Sequence, residues 1–168
     1  MGAQYLIARK WTRTDRSAIV DPGGQTQFEI LGKFRRKSGL AIADAAGAQV
    51  ATISRGGGFR TRYDITAGGA QATVHPSGAF KSGYAVDTTA GQLQSRSSNL
   101  TGSKYELRRG GTVAASVRHE GFLQERFTVE VADGEDAVLM LAAILAIERM
   151  REDRQRQSAA AASMAAGT

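Results

Sequence analysis

The sequence predicts a mainly β fold: a closed antiparallel barrel of about twelve strands enclosing an apolar C-terminal helix. Three observations predict it. A phrase of roughly 22 residues recurs six times, the period inside each phrase is two, and the C-terminal apolar run has no polar face.

The repeat comes first. Each copy alternates apolar and polar residues and then reaches a turn rich in Gly and Asp. The central apolar anchors are Ile19, Ile42, Ile65, Val86, Leu107 and Val129, separated by 23, 23, 21, 21 and 22 residues. Such regularity marks a repeated supersecondary unit. Alternation as in Tyr63-x-Ile65 or Phe127-x-Val129-x-Val131 gives strands with one buried face. Gly and Asp tolerate the positive φ that hairpin turns need. Each unit therefore reads as strand, short turn, strand, longer loop. Strands are expected near 4–10, 17–21, 26–33, 39–44, 48–55, 60–66, 71–75, 82–88, 92–96, 104–109, 112–119 and 125–132.

The helix decides between a barrel and a β-sandwich of the same strands. Ala137–Ile147 is an unbroken apolar run of 11 residues, about 16 Å at 1.5 Å per residue. A membrane span needs about 20 residues. A helix apolar all round must be surrounded by protein; a sandwich covers one side of it, whereas a barrel of about twelve strands can hold it. Ala142, Ala143 and Ala146 let strands approach. Asp133 is expected to cap this helix, with Glu135 and Asp136 at its positive end and Arg149 and Arg151 at its negative end. The barrel is expected over 1–153, with the helix at about 134–152. The Ala- and Ser-rich stretch 154–168 reads as a mobile tail with some helical continuation.

Composition bounds the chemistry. The 168 residues suffice for one domain with a real core. The absence of cysteine excludes disulfides, thiolate metal sites, Cys nucleophiles and palmitoylation, and fits a reducing cytosol. Met1-Gly2-Ala3-Gln4-Tyr5-Leu6 runs straight into strand-like sequence, so no secretory leader is expected. Leu6 stands where a myristoylation signal has Ser or Thr. His75 and His119 fall in different repeats, and both read as exposed strand-end residues rather than metal ligands. Gly56-Gly57-Gly58 lacks the Lys-Ser/Thr of a phosphate loop. Asp21, Asp44, Asp64 and Asp87 recur at turns, where Asp serves the backbone. No catalytic residue, metal site or cofactor is assigned, and the protein reads as a non-enzyme.

Charge is the informative feature. The net charge is +6, which favours anionic partners. In an up-and-down barrel alternate loops share an end. The longer loops, near 9–16, 33–37, 55–62, 80–83, 96–104 and 118–126, hold 16 of the 22 Lys and Arg, against Asp15, Glu120 and Glu125. The same loops carry Trp11, Phe34, Phe59, Phe80 and Phe122. The densest clusters are Arg9, Lys10 and Arg13 around Trp11, and Lys33, Arg35, Arg36 and Lys37 around Phe34. These nine residues are the candidate anion site. Anionic lipid headgroups at a membrane surface suit basic residues interleaved with aromatics; the alternative is a nucleic-acid-binding module, since single strands also suit basic grooves with aromatics, or a protein-interaction module, and an uncharacterised enzyme is a further class. A small-ligand carrier is disfavoured because the helix fills the lumen. Alternatively, the aromatics plug the barrel mouth and the charges form a solvated rim.

The phrases also resemble the LURP-one-related family, which shares its fold with Tubby C-terminal domains and phospholipid scramblases. The matching text is Tyr5-Leu6-Ile7, Phe28-Glu29-Ile30-Leu31-Gly32-Lys33-Phe34, Leu40–Asp44 followed by Gly47, Val50–Ile53, and Arg126–Asp136 leading into the apolar helix. It covers about residues 4–152. The resemblance implies a twelve-stranded, Tubby-like barrel with a central helix, and phosphoinositide recognition as one known property of such domains. Scrambling is not carried over, because the chain lacks a cysteine-rich segment and its apolar run ends in Glu-Arg-Met-Arg-Glu-Asp. A cytoplasmic protein, at most peripheral to a membrane, is the expectation.

Overall fold

The computed structural model describes residues 2–8, 16–32, 39–56, 61–77, 83–98, 103–120 and 126–167. Twelve strands precede one helix. The strands are β1 (Ala3–Ala8), β2 (Arg16–Val20), β3 (Thr26–Leu31), β4 (Leu40–Asp44), β5 (Gln49–Arg55) and β6 (Tyr63–Ala67). They continue with β7 (Ala70–Ser77), β8 (Gly83–Thr88), β9 (Gly91–Ser97), β10 (Lys104–Arg109), β11 (Thr112–Glu120) and β12 (Arg126–Val131). Each strand pairs antiparallel with its neighbours in sequence, and β1 closes the barrel on β12 with Tyr5 opposite Val129 and Ile7 opposite Phe127. The expected strands are therefore present in the expected order.

All six anchors face inward, and none is more than 2% exposed. The first two short turns share a local cause. Asp21 accepts from the Gln25 amide at 2.9 Å, and Asp44 accepts from the Ala46 and Ala48 amides at 3.0 and 2.9 Å. Gly24 and Gly47 donate back to the carbonyls of Asp21 and Asp44 and take φ of +85° and +88°, a conformation that glycine adopts without a Cβ penalty. Asp64 and Asp87 differ from the expectation. They lie within β6 and β8 and face outward. Asp64 meets Thr73 and Arg62, and Asp87 meets His75 and Gln92.

Beside the short turns the register shifts after Ile19, Ile42 and Leu107. Each shift leaves one extra residue on the returning strand: Gln27, Val50 or Ala114. Such bulges bend and twist a strand and so help a sheet to close.

Helix α1 (Ala137–Ala166) fills the lumen. Its N-cap is Asp136, not Asp133; the Asp136 carboxylate accepts from the Leu139 amide at 3.1 Å. Asp133 instead begins the turn in which Gly134 takes φ of +85°. The stretch Met140–Ile147 is wholly buried. The helix lies nearest β5, β6 and β7, where the inward residues Ala51, Ala67 and Ala72 leave room for it. Beyond the barrel it continues to Ala166, 30 residues in all, about 45 Å long. Arg149 and Arg151 are thus mid-helix residues rather than complements to its end. Among the described residues, no helix is long and apolar enough to cross a membrane.

Candidate functional site

The two barrel ends differ. At the short-turn end the helix enters beneath an ion pair between Arg109 of β10 and Glu135. At the other end, β1, β3, β5, β7, β9 and β11 finish, their partners begin, and the helix leaves.

Helix exit and strand ends meet in a ring of aromatic groups. Tyr63, Tyr84 and Tyr105 open β6, β8 and β10, and each is at most 4% exposed. Each stands two residues before its repeat anchor, and they are spaced by 21 residues. Each meets one arginine of the helix: Arg149 hydrogen bonds to Tyr63, Arg154 lies 5.4 Å from the centre of the Tyr84 ring, and Arg151 lies 4.9 Å from that of Tyr105. Guanidinium over an aromatic face is a favourable contact. Burial raises the pKa of all three phenols, furthest at Tyr105.

Glu148 is the helix acid that meets Tyr105. It accepts from Tyr105 at 2.7 Å, contacts His119 of β11 at 2.9 Å, and lies 3.5 Å from Arg151. The side chain of His119 is 7% exposed, which corrects the expectation of an exposed strand-end residue. Its ring lies between those of Tyr105 and Phe127, with centroids 6.4 and 5.6 Å away. His75 is the more exposed histidine, on the outer wall 2.8 Å from Asp87.

A second group lies on the outside of the same end. Lys104 and Arg118 sit directly opposite on β10 and β11, although like charges in that position repel. Glu120 draws Arg118 and Arg126 together, at 2.9 and 3.3 Å, and accepts from Thr128 at 3.1 Å. The hydrogen bond from Arg118 leads the causes that hold the Glu120 carboxyl below its ordinary value. Both guanidinium groups remain more than half exposed.

Arg9, Lys10, Trp11, Arg13, Lys33, Phe34, Arg35, Arg36 and Lys37, the candidate anion site, lie outside the described residues. The connections that contain them leave and rejoin the barrel at the end just described, between Ala8 and Arg16 and between Leu31 and Leu40. Sequence reading missed the Tyr105–His119–Glu148 group, although the 21-residue tyrosine spacing was visible within the repeat. Among the described residues no cluster of His, Asp and Glu is arranged to hold a metal ion.

The domain is thus a closed twelve-strand antiparallel barrel threaded by its own C-terminal helix. The family model described as LURP-one-related matches residues 4–148, and the chain belongs to that family. An X-ray structure of a protein from Arabidopsis thaliana superposes with a TM-score of 0.62 at 16% identity, over 89% of this chain and 91% of that one; this likeness is one of fold. No curated protein matches the sequence.

Proposed function

We propose that this protein is a non-enzymatic, peripheral binding domain that recognises anionic membrane lipids, of the phosphoinositide headgroup type, through the basic, aromatic-rich end of its barrel in the cytoplasm. The observation that carries this reading is the concentration of cations at one end. Lys104 faces Arg118, Glu120 holds Arg126 alongside it, and the connections containing Arg9, Lys10, Arg13, Lys33, Arg35, Arg36 and Lys37 leave the barrel at this same end. Guanidinium groups give charge-assisted hydrogen bonds to phosphate oxygens. Trp11 and Phe34 supply the apolar bodies suited to a lipid interface.

The test is co-sedimentation with anionic and neutral vesicles at low and moderate salt. Each basic residue near an anionic surface is worth about 1 kcal/mol, so replacing Arg35, Arg36 and Lys37 by Ala should cost about 3 kcal/mol, more than 100-fold in binding. Thermal stability should hardly change, since exposed charges contribute little to folding. A wild-type protein that ignores anionic vesicles at low salt, or that prefers single-stranded oligonucleotides, would remove the lipid reading.

A further inference from the structure

The helix exit contains a largely buried histidine–glutamate pair that the binding reading does not use. His119 Nε2 lies 2.9 Å from Glu148 Oε2, and His119 Nδ1 lies 3.2 Å from the Ser103 carbonyl oxygen. When Glu148 is ionised, both partners are acceptors. Burial pushes the Glu148 carboxyl up, but the hydrogen bond and charge of His119, with Arg151 and the Tyr105 hydroxyl, outweigh it and hold the carboxyl below its ordinary value. A neutral imidazole carries one N–H and can satisfy only one of the two oxygens; an imidazolium satisfies both.

Location gives the pair its consequence. Up to Ile147 the helix is held by apolar packing that is indifferent to pH. From Glu148 onward only Met150 is still buried in the apolar core; the other contacts with the strand ends are polar, and past Arg154 the helix is exposed. We propose that His119 and Glu148 form a proton-gated latch fastening the helix exit to β10 and β11, shut while His119 carries both ring protons and Glu148 is ionised. Loss of a ring proton withdraws the imidazole donor from one of the two oxygens, of which the Ser103 carbonyl also accepts from the His119 amide at 2.8 Å, and removes one of the two positive charges beside the carboxylate, leaving Arg151 as the other. His119 faces Glu148 of the helix, the Ser103 carbonyl and Tyr105 ring from the β10 side, and the uncharged Phe127 ring from β12; Arg151 and the Tyr105 hydroxyl reach the same Glu148 carboxylate. Glu120, Arg118 and Arg126 form their own ion-pair cluster on the outer wall. The latch therefore loosens when the ring gives up one of its two protons. It is independent of which ligand the barrel end takes.

The chain has two histidines, so His75→Gln leaves His119 as its sole imidazole. In that variant, ring nitrogen resonances and backbone amide exchange are followed by NMR from pH 5 to 9, with exchange corrected for its intrinsic pH dependence. Wherever the exit amides are fully protected, both ring nitrogens should carry protons. As the ring loses one, protection of the amides from Arg149 to Asp153 should fall about tenfold or more, the scale of one charge-assisted hydrogen bond, while Met140–Ile147 stays protected. Flat protection of the exit amides through the ring's titration overturns the latch, as does a singly protonated ring while those amides remain fully protected. His119→Gln, if folded, should show low exit protection that no longer responds to pH over this range; a response equal to that of His75→Gln also overturns it.

Discussion

The phenol of Tyr105, at the head of β10, donates to Glu148 Oε1 across 2.7 Å, although the two residues stand 43 positions apart in the chain. Burial leads the causes that push the Tyr105 phenol well above its usual range, so it remains a donor wherever the protein is folded. Tyr105→Phe keeps the ring beneath Arg151 and deletes only the hydroxyl. It should lower stability by about 1–2 kcal/mol, the cost of depriving a buried acceptor of its partner, as read from chemical denaturation at neutral pH.

Glu148 also predicts an acid limb. Its folded-state pKa lies below the ordinary value, so its contribution is present above the ordinary carboxylate range and is lost as pH falls through the folded pKa. Glu148→Gln should be less stable than wild type near pH 6, and the gap between them should close as pH falls from about 5 to 2. The variant keeps some acid sensitivity, because Asp87 and Glu120 are shifted in the same direction. A gap that stays constant would mean that the carboxylate contributes nothing to folding.

The helix is the barrel's core, and one charge inside it should be intolerable. Leu141 and Ile144 are fully buried. Leu141→Asp or Ile144→Asp places an unpaired carboxylate among apolar groups, at a cost of several kcal/mol. Each variant should lack cooperative thermal unfolding; a normal transition in either would place the helix elsewhere.

Helix entry should be far more forgiving. Asp136→Ala removes the side-chain acceptor for the Leu139 amide, a loss of about 1 kcal/mol by the usual scale of N-caps. The midpoint of urea unfolding should fall accordingly without a change of slope.

Gly39 tests how closely strands approach at the loop end. A Cβ there would meet the Ile53 carbonyl oxygen at 2.6 Å, a backbone atom that cannot swing aside. Gly39→Ala should cost about 1–3 kcal/mol, as overpacking does. An unchanged denaturation curve would show that the start of β4 shifts freely.

The sequence by itself determined the number of strands, their inward faces and the barrel order. These follow from alternation and turn chemistry, which act between near neighbours: Asp44 and Gly47 build their turn within four residues, and Ile42 faces inward because its pleat position says so. Helix boundaries were less legible. Asp133 and Asp136 are both competent caps, and the choice fell to Asp136 once Gly134 had turned the chain. The tail beyond 153 reads as low complexity, yet its alanines are strong helix formers and α1 runs through them to Ala166.

Only the tertiary structure decided what meets at the helix exit. An apolar helix with no polar face has no sequence-encoded rotation inside its barrel, and its run of Leu, Ile and Ala packs acceptably in many orientations. Where the apolar run stops, burying a charge is costly unless a partner faces it. Of the possible rotations and depths, the one adopted brings Glu148 to Tyr105 and His119, Arg149 to Tyr63 and Arg154 to Tyr84. The tyrosines were visible in the repeat, but their partners lie tens of residues away on the helix, and that separation kept the site out of the sequence.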